Sequence, residues 1–148
     1  MALLIFGFFF PFREYMTPKA GLGFGLGVAG AIAMLIAILG YSIPKRIRFF
    51  RSIKNQQSTT NLFNMHKVLG ILGPIAILYH CGYHLGATNS NMALYSMITT
   101  VIAGLIGRYL YMTPGLAKYV SWWRMAHMPV VGMLILTSII HIVAYLVY

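Results

Sequence analysis

Two pairs of histidines share one spacing. His66 and His80 are 14 residues apart, and so are His127 and His141. In an α-helix, 14 residues make close to four turns. The members of each pair therefore face about the same way and stand about 21 Å apart along the axis. The fifth histidine, His84, lies in 78-LYHCGYHLG-86 beside Cys81, the only cysteine. Imidazole is a common metal ligand. With one cysteine and one acid, Glu14, there is no thiolate or carboxylate cage for zinc or an iron–sulfur cluster. A CxxCH motif for covalent haem attachment is excluded too.

Membrane spans must position these histidines. The 148 residues are 59% apolar and 8% charged, where a soluble domain is about a quarter charged. Four apolar runs have about the twenty residues that a bilayer core needs. They are Ala20–Ile43, closed by Pro44, then Asn64–Leu85, Met92–Met112 and Trp123–Tyr148. The stretch 59-TTNLFNMHK-67 supplies N-cap candidates before the second span. Trp122, Trp123, Tyr109, Tyr111 and Tyr119 fall at span ends, where aromatic belts form. Residues 1–12, MALLIFGFFFPF, are apolar but too short to cross. With no basic n-region and no cleavage site, they read as an interfacial segment and not as a signal peptide. The expected fold is all-α: an N-terminal apolar segment, 1–19, then a transmembrane four-helix bundle, 20–148.

Charge sets the expected orientation. The net charge is +10, from eleven Lys and Arg against Glu14. Nine of the cations, Lys45, Arg46, Arg48, Arg51, Lys54, Lys67, Arg108, Lys118 and Arg124, fall on one side of the four spans. That side is expected to be cytoplasmic, or its matrix or stromal equivalent, with both termini opposite. Anionic lipid accounts for the excess, and nucleic acid is not an expected partner. Spans two and four then run in the same direction.

Parallel spans bring the histidines into two layers, His66 opposite His127 and His80 opposite His141. Two imidazoles facing across a bundle suit an iron porphyrin, ligated axially from both sides and buried by apolar walls. Two layers imply two non-covalent haems b. The plainer alternative is histidine as hydrogen-bonded glue between helices. Intramembrane ionisable groups are costly, however, and matched spacing on parallel spans favours a ligand role. His80 fits the 14-residue register. His84 would lengthen the separation by a turn, and is a candidate partner for a haem propionate or a quinone headgroup. Lys67, Arg108, Lys118 and Arg124 lie toward the inner layer, where propionates need cations, and Arg13 and Lys19 toward the outer. Gly23, Gly27 and Gly30 on span one, with Gly104 and Gly107 on span three, would admit a flat macrocycle or a neighbouring backbone. Cys81 reads as a packing residue.

The histidine pairs and the phrase 123-WRMAHMPVVGMLILTSIIHIVAYL-146 resemble the dihaem four-helix membrane cytochromes b, the cytochrome b subunits of respiratory-type oxidoreductases. The resemblance covers the chain from span two onward. It implies that His66, His80, His127 and His141 are axial ligands. It also implies electron transfer between haems across an energy-transducing membrane, often to or from a quinone. No flavin, nicotinamide or iron–sulfur motif is present, so the chain is expected to be one subunit of a larger redox complex. Quinone chemistry needs a proton acceptor, and only Glu14 and His84 are placed to help. The alternative from another class is a membrane anchor for a soluble complex, docked through 45-KRIRFFRSIK-54.

Overall fold

The computed structural model describes residues 21–46, 56–82 and 88–147. Among them, helix is the only regular structure: α1, Gly21–Arg46; α2, Gln56–His80; α3, Thr88–Met112; and α4, Val120–Val147, entered through a 3₁₀ turn at Ala117–Tyr119. Each of the four is long and apolar enough to cross a membrane. The all-α expectation holds, and the helices mark a membrane protein. Their outward faces agree. Leu146 is 75% exposed and Met133 59%, which suits lipid or further helices rather than water. The N-terminal segment 1–19, the loop 47–55 and His84 lie outside the described residues.

The chain divides into two compact units, Met1–His84 and Leu85–Tyr148. In the first, α1 and α2 form an antiparallel hairpin. His80 meets Gly23, Gly73 meets Gly30, and His66 meets Ala37, so position rises on one helix as it falls on the other. Glycine sets the separation. A β-carbon on Gly30 would stand 2.7 Å from Ile77 Cγ1 and 2.9 Å from the Gly73 carbonyl oxygen. One on Gly73 would meet Met34 Cγ at 2.7 Å. Two backbones in such contact gain dispersion energy that bulkier side chains would forbid.

In the second unit α3 and α4 are likewise antiparallel, and polar groups set their register. The Ser96 and Thr137 hydroxyls hydrogen-bond at 2.7 Å, and Trp123 Nε1 donates to the Ala103 carbonyl at 2.7 Å. Thr137 is buried and also donates to Met133 O at 2.9 Å. An interhelical hydroxyl bond in a membrane is worth about 0.6 kcal/mol, at most about 1.7. Thr137→Val should therefore lower the unfolding free energy in micelles by roughly that amount. An unchanged or raised midpoint in a denaturant titration would contradict the register role.

Span limits differ from the sequence expectation in instructive ways. The first helix passes through Pro44 to Arg46. The second starts eight residues early, at Gln56, and carries Pro74 inside it. It also stops at His80, five residues short of Leu85. Gly82 takes φ +55°, a left-handed conformation that ends helices, and its N–H donates to Tyr79 O at 3.0 Å. Cys81 therefore follows the helix instead of lying within it. The third and fourth helices begin at Thr88 and Val120, ahead of the expected Met92 and Trp123.

Candidate functional site

Both histidines of α2 turn to α1. His66 Nδ1 donates to the Ala37 carbonyl at 2.8 Å, and His80 Nδ1 to the Gly23 carbonyl at 2.8 Å. The acceptors are themselves 14 residues apart, so equal spacings on antiparallel helices give two equivalent contacts. The expectation that His66 and His80 face the same way is met. The bonds also fix the chemistry of the rings. A carbonyl oxygen only accepts, so Nδ1 carries the proton and Nε2 the lone pair. Metal-bound histidine is commonly held in this manner, its second nitrogen donating to a backbone carbonyl.

The histidines of α4 are held differently. His127 stacks on Trp123, with ring centroids 4.9 Å apart and planes 20° from parallel. The indole is fixed by its bond to Ala103 O and lies over Gly107, where a β-carbon would overlap its six-membered ring. The i, i+4 step from Trp123 to His127 places the rings on one face. His127 Nδ1 and His141 Nδ1 are both buried nitrogens. Thr137 lies one turn before His141, at the Ser96 bond.

The cations assigned to propionates are less committed. Arg108 and Arg124 are exposed, and Lys67 is half-buried. Lys67 Nζ lies 4.7 Å from the Phe63 ring centroid and Lys118 Nζ 5.1 Å from that of Tyr119, both cation–π contacts within one element. Two sequence expectations about glycine come out mixed. Gly27 and Gly30 admit the α2 side chains and backbone, and Gly107 admits an indole, while a β-carbon at Gly104 would meet nothing within 4 Å.

Sequence reasoning missed the Gly23 and Ala37 carbonyls and the Trp123 stack. A carbonyl leaves no mark in a sequence. The Trp-x-x-x-His step does, and it could have been found. Among the described residues no three His, Cys, Asp or Glu side chains gather around one point.

The two contacts bear on one requirement of a haem iron, a free lone pair on the ligating imidazole. His66 and His80, protonated on Nδ1, would hold such a group through Nε2. Compared with protein-family models, with curated proteins and with solved structures, the chain matches none.

Proposed function

We propose that this chain is the membrane electron-transfer subunit of a larger redox complex and carries two non-covalent haems b. His66 with His127 would hold the inner haem and His80 with His141 the outer. One observation carries the reading: two imidazoles four turns apart are both locked as Nδ1–H donors to carbonyls four turns apart. With two imidazole ligands, haem exchanges single electrons and offers no open position for oxygen chemistry.

The residues of the chain do the rest. Ala37 and Gly23 orient the rings, Trp123 buttresses His127, and the apolar helices exclude water. Lys67, Arg108 and Arg124 are the cations available for propionates on the basic side. The cytoplasmic placement of that side, by the positive-inside rule, belongs to the same proposal. A quinone is the proposed small-molecule partner on the opposite side, with Glu14 and His84 as its proton acceptors. Replacing both by Gln should slow reduction by a quinol roughly 10²-fold, the range of a lost general base. An unchanged rate removes the quinone from the scheme.

The first test is a reduced-minus-oxidised spectrum of purified protein with haem counted per chain. Two low-spin b haems are expected. A second reading keeps the histidines as glue, because each Nδ1 contact also ties α1 to α2. The chain would then anchor a soluble complex through its basic loop. Normal assembly of that complex with no haem in the spectrum would establish this reading instead.

A further inference from the structure

We infer that Gly27 is a positioning residue for His80, and that its missing side chain is what gives the outer haem an oriented axial ligand. The inference rests on the dihaem reading. A β-carbon on Gly27 would stand 2.6 Å from His80 Nδ1, 2.8 Å from Cγ and 2.9 Å from Cε1. These are atoms of a rigid ring, not the end of a flexible chain. The ring cannot swing clear without breaking its bond, because Nδ1 is tied to Gly23 O at 2.8 Å. Gly23 and Gly27 are one helical turn apart, so the carbonyl that accepts from His80 is also the one that pairs with the Gly27 N–H. Space and acceptor thus come from the same turn of α1.

The inner ligand has no such gate. His66 bonds to Ala37 O, and the nearest glycine on that stretch, Gly40, faces Met65 Cε at 2.7 Å. A methionine methyl can move aside. His80 is also the last residue of α2. The hydrogen bond to Gly23 O restrains its ring. A methyl group at position 27 should push the imidazole off that carbonyl. The imidazole would then lose its Nδ1–H···O=C partner and become a weaker donor through Nε2. A weaker donor stabilises ferric iron less, so the potential of the outer haem should rise while that of the inner one stays.

The test compares Gly27→Ala with Gly25→Ala, whose added methyl would meet nothing within 4 Å. Both are made in the full chain in lipid nanodiscs. Histidine ¹⁵N shifts are read on haem-free protein, and the two midpoint potentials after loading with haem. Wild type and Gly25→Ala should show His80 as the Nδ1–H form. Gly27→Ala should show mixed tautomers and one potential raised. An unmoved potential with intact Nδ1–H in Gly27→Ala overturns the inference, and so does an equal shift in Gly25→Ala. If Gly27→Ala does not fold, the wild type still decides: His80 as the Nε2–H form refutes the clamp. Wild type that shows the Nδ1–H form but takes up no haem overturns the dihaem reading instead.

Discussion

On the proposed dihaem reading, His66→Ala and His127→Ala should each remove the same haem, and His80→Ala and His141→Ala the other. Each single variant is expected to retain one low-spin haem per chain, and its potential should match one of the two in wild type. The doubles within a layer should do no more harm than the singles. Two ligands on one iron act as a unit, so their losses are not additive. The side effects should differ, which makes the shared loss informative. His66→Ala also gives up the bond to Ala37 O, worth about 0.6 kcal/mol between membrane helices. His127→Ala instead gives up the stack on Trp123. One weakens the first hairpin and the other the second, yet the spectrum should lose the same component. A redox titration of the four variants settles the pairing. If His66→Ala and His141→Ala strip the same haem, the layers are crossed and the parallel arrangement of spans two and four is wrong.

The sequence displayed the four helices because the bilayer demands a length that composition alone reveals. Their ends were less legible, for physical reasons. Pro44 was expected to close α1, yet the helix runs two residues past it. Pro forgoes its own N–H bond and crowds the carbonyl four residues earlier, yet the residues after it can still continue the turn. Gln56 to Phe63 is too polar to read as span, and it is helical all the same. Hydropathy marks the length of the core and not the length of the helix. The stop at His80 was written in Gly82, within a stretch that was read for its histidines.

The shared facing of His66 and His80 was legible because helical period is a sequence property. What holds the rings was not. Every residue carries a carbonyl, and only the hairpin register selects Gly23 and Ala37. The glycines of α1 announced a close approach, but not what approaches. At Gly27 it is an imidazole and at Gly30 a backbone. The same ambiguity covered Gly104 and Gly107, which the sequence presents as equals.

Those two glycines should respond very differently to alanine. At Gly107 the added methyl would overlap the Trp123 ring, and the indole cannot yield cheaply. Its Nε1–H is bonded to Ala103 O at 2.7 Å, and its ring stacks on His127. Gly107→Ala must therefore break the bond, the stack or the helix contact. Overpacking of this kind costs about 1–3 kcal/mol, read as a lower thermal midpoint in micelles. Gly104→Ala meets open space and should leave the midpoint within experimental scatter. The pair separates fold from function as well. If His127 is an inner ligand, Gly107→Ala should disturb the same haem that His66→Ala removes and spare the outer one. Equal loss of stability in both glycine variants would show that Trp123 does not pack on Gly107. Lost stability with both haems intact would leave the packing standing and free His127 from any ligand role.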